Sequence, residues 1–189
     1  MLIRTLANKY AFFKILSFIL RLKDEFYVRE LSRKLNLSVS VVKYWVDVLY
    51  AHKIVEKRKL GRVYLYKVRH DFYLTKAIKR FFSLAEIQHS GLVEELVKLF
   101  DSNLISITLY GSVAKGEDDE KSDIDILVLV KRKIKFKKEL RAEKKLLREL
   151  SLLIRSRAEW IELSKRNPAF YYNVVLNGVS LYGELPVVR

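Results

Sequence analysis

The chain has 189 residues, 50% of them apolar, which is enough for one large domain or two small ones with a packed core. It has no cysteine, which excludes disulfides and thiolate metal sites and is consistent with a cytoplasmic location. Its formal net charge of +15 favours polyanionic partners. The apolar beginning is interrupted by Lys9, Lys14 and Arg21, so it predicts an amphipathic helix and no membrane span.

Charge is distributed unevenly along the chain. Residues 1–70 carry 16 Lys and Arg against 5 Asp and Glu, residues 71–130 carry 6 against 11, and residues 131–189 carry 15 against 6. A basic beginning, an acidic middle and a basic end indicate two polyanion-facing surfaces around a cation-binding centre.

The first 70 residues predict three helices followed by a β-hairpin. Apolar spacing predicts helices over 5–22, 28–35 and 38–51, and two strand-like runs around Leu60-Gly61 predict the hairpin. The stretch VRELSRKLNLSVSVVKYWVDVLYAHKIVEKRKLGRVYLYKV resembles the winged helix-turn-helix family. The resemblance implies a domain over 1–70 whose helix from about Ser38 enters the major groove of DNA.

The same resemblance implies two groups of DNA-contacting residues. Outward positions on the helix would face bases or backbone, and cations of the hairpin, the wing, would meet phosphates. These are Ser38, Ser40, Lys43 and Tyr44 on the helix, and Lys57, Arg58, Lys59 and Arg62 on the wing. The alternative is a solvated charged face on a protein-interaction module. The excess of positive charge favours nucleic acid.

A connecting helix is predicted over 71–89, followed by a second domain over 90–189. Helical spacing over 92–100 is followed by strand-like alternation that ends at Gly111-Ser112. A second strand is predicted over 122–130. The fold class expected for the whole chain is therefore α+β in two domains.

Two aspartates, Asp123 and Asp125, stand one residue apart at the start of that second strand. The two-residue period of a strand places both side chains on one face, about 6.5–7 Å apart. Like charges this close raise each other's pKa and repel unless a cation lies between them. The pair therefore predicts a divalent-cation site, and hard oxygen ligands favour Mg²⁺.

A phosphate site is predicted next to the carboxylates. Gly111 at the end of a strand lets the backbone approach a phosphate closely, and the Ser112 hydroxyl adds a contact. Lys115 lies three residues further on, where it would neutralise triphosphate charge. Phosphate contacts on one side and a metal clamp on the other predict a nucleoside triphosphate (NTP) site.

Gly111-Ser112, ten intervening residues and then Asp123-Ile124-Asp125 resemble the signature of the DNA polymerase β-like nucleotidyltransferase superfamily in its minimal form. The resemblance covers about residues 90–184 and implies a small mixed sheet flanked by helices. It implies transfer of a nucleoside monophosphate, foremost AMP from ATP, to a hydroxyl with release of pyrophosphate. The implied nucleotide-binding residues are Gly111, Ser112, Lys115 and Ser122.

Members of that superfamily need a third carboxylate on a later strand. A helix is predicted over 136–151 and a short strand over 157–164, RAEWIELS. The resemblance places the third ligand at Glu159, with Glu162 as the fallback, so that Asp123, Asp125 and Glu159 would hold two Mg²⁺ ions and act in catalysis. The alternative for Glu159 is an exposed glutamate on an edge strand.

Two charged runs flank the motif. Glu117 to Glu120 is predicted to be a solvated loop. Residues 131–138 contain six basic residues, and both a solvated helix start and a polynucleotide contact remain open, with Lys144, Lys145 and Arg148 extending that surface along the helix.

Three functions are compatible with these features. The first is a nucleotidyltransferase with an attached DNA-binding domain, similar to antitoxins that add AMP to a separate toxin of the HEPN class. The second is a DNA-binding regulator whose nucleotidyltransferase fold only senses nucleotide. The third is an enzyme acting on RNA ends or on tRNA. A homodimer on two DNA half-sites is a further expectation from the winged helix.

Overall fold

The structure, a computed structural model, describes residues 10–119, 121–134, 136 and 139–188. The chain divides into two compact units, one ending at Phe82 and one beginning at Ser83. Across the described residues, no helix combines the length and the apolar character that crossing a membrane requires.

The first unit contains three helices followed by a hairpin. Helices α1 (Ala11–Ile19), α2 (Val28–Leu35) and α3 (Val39–Ala51) precede the antiparallel strands β1 (Val55–Leu60) and β2 (Val63–Val68). The second and third predicted helices and the predicted hairpin are confirmed. The first predicted helix is shorter, and its opening residues lie outside the described part of the chain.

The start of α3 follows from local chemistry. Asn36 adopts a left-handed conformation, φ 50°, that ends α2, and the Ser38 side chain accepts a hydrogen bond from the Val41 amide. A serine N-cap satisfies one of the amides that a helix start leaves without a partner. Val42 and Val46 on the inner face of α3 are fully buried, which fixes the outward face of this helix.

The second unit is built on a four-stranded mixed sheet in the order β5-β4-β3-β6. Strand β4 pairs in parallel with β5 and antiparallel with β3, and β3 pairs antiparallel with β6. Helix α4 (Tyr73–Ser90) begins in the first unit and ends in the second. The other elements are α5 (Leu92–Phe100), β3 (Leu104–Tyr110), α6 (Gly111–Lys115), β4 (Ile124–Val130), β5 (Leu150–Ser156), α7 (Arg157–Arg166), α8 (Pro168–Asn177) and β6 (Val179–Tyr182).

Both faces of the mixed sheet are covered. On one face, Ile124 and Ile126 of β4 belong to a cluster that includes Leu96 of α5. On the other face, Leu127 packs with Trp160 of α7. Because both faces are buried, β4 is almost entirely apolar after Asp125, and the aspartates are confined to the end where the strand begins.

The structure contradicts two predicted elements: a predicted helix contains a strand, and a predicted strand is a helix. Where a helix was predicted over 136–151, the described residues 139–151 form a short 3₁₀ turn, Glu143–Lys145, followed by strand β5. The strand predicted over 157–164 is helix α7. The physical reason is tertiary: the Glu95 carboxylate accepts the amides of Arg141 (2.9 Å) and Ala142 (2.8 Å), which holds this segment in a non-helical course.

Candidate active site

The two aspartates lie where β4 begins, beside the end of β3. Asp125 is the register partner of Tyr110, the last residue of β3. Asp125 is partly buried and Asp123 is exposed. Burial raises the pKa of the Asp125 carboxyl, a hydrogen bond from the Ser151 side chain opposes this, and the Asp123 charge raises the pKa further. The pair is therefore a site whose electrostatics a cation would relieve.

Gly111 brings the main chain directly against this carboxyl. Its φ is +75°, a left-handed conformation that glycine adopts without strain. A Cβ at this position would overlap Oδ2 of Asp125 and lie 3.2 Å from its Cγ. The structure thus joins Gly111 to the aspartates, as the sequence motif predicts, and it shows that the close approach is to the carboxylate itself.

Tyr110 completes this edge of the site, although sequence reasoning gave it no role. It is buried, and its ring packs edge-on against Phe170 with 5.4 Å between the ring centroids. Burial and the Asp125 charge raise the pKa of the Tyr110 phenol, while the Arg155 charge lowers it. The phenol therefore stays protonated at neutral pH and acts only as a neutral polar group beside the carboxylates.

The other residues predicted to bind nucleotide lie in the loop that joins β3 to β4. Ser112 follows Gly111 at the start of α6, and its carbonyl accepts the amide of Glu117 at 2.9 Å. Lys115 pairs with Glu117 at 3.1 Å. Ser122 closes a turn, because its hydroxyl accepts the Asp119 amide (2.9 Å) and donates to the Asp119 carboxylate (3.1 Å). The Ser122 hydroxyl is thus engaged within its own loop.

Glu159 lies at the other end of the sheet. It follows β5 directly, and the register pairs Asp125 with Ser151 near the start of that strand and Val130 with Ser156 at its end. Ser156 lies five residues after Ser151 along the strand, which is about 16 Å. The structure therefore does not bring Glu159 to the aspartates, and the prediction that it is the third ligand is wrong because its strand is a helix.

Glu159 has a structural role at the start of α7. Its carboxylate accepts the Ser156 amide at 2.9 Å, while the Ser156 hydroxyl accepts the Glu159 amide, a reciprocal capping box. It also pairs with Lys133 at 2.5 Å. The ion pair and the hydrogen bonds from Ser156 lower the pKa of Glu159 to about 2. The fallback, Glu162, is exposed on α7 and pairs with Arg166 at 2.6 Å.

The start of β5 supplies groups that sequence reasoning missed. Ser151 lies opposite Asp125 in the register, and the carbonyl of Glu149 accepts the Ile124 amide at 2.8 Å. Continuing that register places the exposed Glu149 opposite Asp123, on the same face of the sheet. Recognising LSLLIRS as a strand and SRAE as a capping-box sequence would have located these groups.

The donor set at this edge fits a single hard cation. Mg²⁺ is commonly held by one or two protein carboxylates together with substrate phosphates and water. Asp123 and Asp125 supply two carboxylates on one face. Among the described residues, no three His, Cys, Asp or Glu side chains lie close enough together to form a metal site alone. The chain's own contribution is therefore two carboxylates.

The acidic run from Glu117 to Glu120 was predicted to be a solvated loop, and the structure differs from this at Asp118. Asp118 is buried and does not belong to a solvated run, because it pairs with Arg148 at 2.7 Å. Arg148, predicted to extend a basic surface, is itself buried, with 7% of its side chain exposed. Part of the basic run 131–138 lies outside the described residues.

In the first unit, the predicted DNA-contacting positions on α3 face outward. Ser38 and Ser40 are exposed and hydrogen-bonded to each other at 3.1 Å. Tyr44 is 61% exposed. Lys43 is exposed but pairs with Asp47 on the next turn of the helix. This face therefore presents an aromatic ring and hydroxyl groups, with one partly neutralised cation.

The four wing cations fall into two kinds. Lys57 is held 4.3 Å above the Tyr64 ring and 3.7 Å from Asp47. Arg58 forms a two-pronged ion pair with Glu25, which lowers the pKa of that carboxyl. Lys59 and Arg62 are exposed at the tip of the hairpin. The tip cations are therefore better placed for phosphates than the other two.

Comparison with known families finds a match within the second unit only. Residues 94–185 match the family described as "Polymerase beta, Nucleotidyltransferase". The matched segment contains the Gly111-Ser112 pair, the aspartates and all four strands of the mixed sheet. The match supports the polymerase β-like nucleotidyltransferase superfamily, and with it a nucleotidyltransferase-type function, for this part of the chain. No curated protein and no solved structure matches the chain.

Proposed function

We propose that the protein is a metal-dependent nucleotidyltransferase that moves a nucleoside monophosphate from an NTP to a hydroxyl group. The observation that supports this most strongly is the placement of the Gly111 main chain against the Asp125 carboxyl, with Asp123 beside it. It lies within the segment that matches the nucleotidyltransferase family. ATP is the proposed donor because of the resemblance to AMP-transferring antitoxins.

Asp123 and Asp125 are the proposed ligands of Mg²⁺. A bound cation supplies positive charge that polarises the phosphoryl group and lowers the pKa of an attacking hydroxyl. The protein holds one carboxyl partly buried between the Gly111 main chain and Ser151, so little rearrangement is needed when the cation binds. Gly111 and the Ser112 hydroxyl border the place proposed for the phosphates. Lys115 is the proposed cation for them, exchanging its contact with Glu117.

Glu149 is the proposed third acidic group, in place of Glu159, and its side chain would have to move towards the aspartates, because the three carboxylates do not form a metal site in the structure as it stands. Its main chain is already fixed to β4 through the Ile124 amide, and the register directs it towards Asp123. Glu149→Gln is therefore expected to reduce transfer strongly, whereas Glu159→Gln is expected to leave transfer intact and reduce stability. Equal activity of Glu149→Gln and the wild type would remove Glu149 from the site.

Pyrophosphate release tests the reaction class. The protein is incubated with each NTP in turn, with cell RNA or cell protein as acceptor, in Mg²⁺ and again in excess chelator. Release that requires Mg²⁺ and an acceptor supports transfer, and the acceptor that stimulates it names the substrate class. NTP binding without release would instead support the second candidate, a regulator whose nucleotidyltransferase fold senses nucleotide.

DNA binding by the first unit is the second part of the proposal. Its support is the order of three helices and a hairpin, the outward face of α3, and the exposed Lys59 and Arg62 at the hairpin tip. The family match begins after this unit, so its function rests on the winged helix-turn-helix resemblance. A separate HEPN-type toxin as acceptor, and a homodimer on two half-sites, are proposed on family analogy alone.

A further inference from the structure

Arg148 is a buried guanidinium that joins three segments of the second unit. Its Nη1 donates to the Asp118 carboxylate at 2.7 Å, in the loop between α6 and β4. Its Nη2 donates to the Ser83 hydroxyl at 3.0 Å and to the Glu86 carboxylate at 3.1 Å, both on α4. Only 7% of the Arg148 side chain is exposed, against 9% for Asp118 and 11% for Glu86.

A cluster of this kind is an unusual way to obtain stability. Desolvation of buried charges offsets much of their attraction, and well-packed apolar groups often serve as well or better. A planar guanidinium makes its contacts directional. Its N–H donors point in fixed directions, so acceptors must lie at set angles around it. The geometry of Arg148 therefore fixes where the Asp118 loop lies relative to α4.

Two of the three segments, the Asp118 loop and the start of β5, lead to the carboxylate pair. Asp118 lies five residues before Asp123, with only the turn closed by Ser122 between them. On the other side, Arg148 directly precedes Glu149, whose carbonyl accepts the Ile124 amide between the two aspartates. A further tie, from the Leu147 amide to Glu86 at 2.8 Å, holds the same segment to α4.

We propose that Arg148 is a positioning residue for the candidate active site. Through Asp118 it holds the loop that leads to Asp123. Because Arg148 directly precedes Glu149, anchoring Arg148 also holds the start of β5 against Ile124. The effect that we expect on kcat rests on the proposed function. The effect that we expect on the backbone at Ile124 does not, and it is measured without nucleotide.

The first test uses Asp118→Ala, which removes the acceptor of Arg148 Nη1 and so cuts the tie to the loop but leaves Arg148 paired with Glu86 and Ser83. Backbone amide hydrogen exchange is followed at Ile124 and, as an internal reference, at Val128 in the same strand. Exchange at Ile124 is expected to accelerate about tenfold while Val128 changes little, because only local opening becomes easier. Lys144→Ala, at an exposed residue in the nearby 3₁₀ turn, is the matched control and is expected to change neither amide.

Arg148→Lys provides the second test, because lysine keeps the charge and loses the fork. It is expected to reproduce the selective acceleration at Ile124. Where the wild type transfers nucleotide, both variants are also expected to lower kcat by about tenfold or more, since misplacement near 1 Å is costly in catalysis.

Two results overturn the proposal. Equal acceleration at Ile124 and Val128 would show that the cluster only supports overall stability, and unchanged exchange at both amides in both variants would show that it positions nothing. Absence of transfer by the wild type would contradict the proposed function alone, because the exchange measurement still decides whether Arg148 holds this edge of the sheet.

Discussion

Replacement of Gly111 by alanine tests the close approach of the main chain to Asp125. The left-handed conformation of Gly111 costs a residue with a side chain about 1–2 kcal/mol. The new Cβ would also overlap the Asp125 carboxylate, and displacing a packed neighbour costs about 1–3 kcal/mol more. Gly111→Ala is therefore expected to lower the free energy of unfolding by about 2–5 kcal/mol.

Gly91 provides a matched control within the same unit. Its φ is +78°, close to that of Gly111, but a Cβ there would have no atom within 4 Å. Gly91→Ala should therefore cost only the backbone contribution of about 1–2 kcal/mol. Combining Gly111→Ala with Asp125→Ala should remove the overlap and reduce the cost of the glycine substitution to the Gly91 value.

Urea unfolding followed by tryptophan fluorescence measures these costs. The chain has two tryptophans, so a Trp45→Phe background leaves Trp160, buried in the second unit, as the reporter. Equal costs for Gly111→Ala and Gly91→Ala would refute the reasoning, because they would show that Asp125 does not lie against Gly111. An unchanged cost in the Asp125→Ala background would refute it as well.

Two further predictions concern residues that the structure reassigns. Glu159→Gln is expected to lower stability by less than about 1 kcal/mol at pH 7, because glutamine can keep the capping box and only the negative charge beside Lys133 and the Ser156 amide is lost. Because the pKa of Glu159 is lowered from 4.5 to about 2, the carboxylate stabilises the fold above its ordinary pKa and loses this effect as the pH falls towards 2. The free energies of unfolding of variant and wild type, measured by urea titration, should therefore converge near pH 2. A difference that stays constant with pH would contradict this. On the wing, replacing both Lys59 and Arg62 by alanine should reduce the dependence of log K on log salt for a DNA duplex by about two, measured by fluorescence anisotropy. Lys43→Ala, which removes a cation already paired with Asp47, should change it less, and the reverse order would contradict the assignment.

The sequence was informative where structure is set locally. The outward face of α3, its start near Ser38 and the hairpin at Leu60-Gly61 depend on short-range patterns, and all three are present. The grouping of Gly111 with the aspartates could also be predicted, because a glycine that ends one strand and carboxylates that begin the next must meet when the two strands pair antiparallel.

The sequence misled where distant partners decide. A helix was predicted over 136–151 from apolar spacing, but Glu95 accepts the amides of Arg141 and Ala142 and Glu86 accepts that of Leu147, which holds the chain around these residues out of a helix. Because the strand Leu150–Ser156 was missed, a strand was predicted over 157–164 instead, and Glu159 was assigned to it although it lies in α7. Similarly, Arg58 looked available for phosphate, yet Glu25, 33 residues away in sequence, binds it. No short sequence pattern predicts such ion pairs, because they depend on the packing of the whole unit.

The nucleotidyltransferase site is tested most directly by transfer of label from an α-labelled NTP in Mg²⁺ by three proteins: wild type, Asp125→Asn and Glu159→Gln. We expect transfer by the wild type and by Glu159→Gln, and none by Asp125→Asn, with all three folded by circular dichroism. Loss of transfer in Glu159→Gln together with activity in Asp125→Asn would contradict it, since the site would then lie at the opposite end of the sheet.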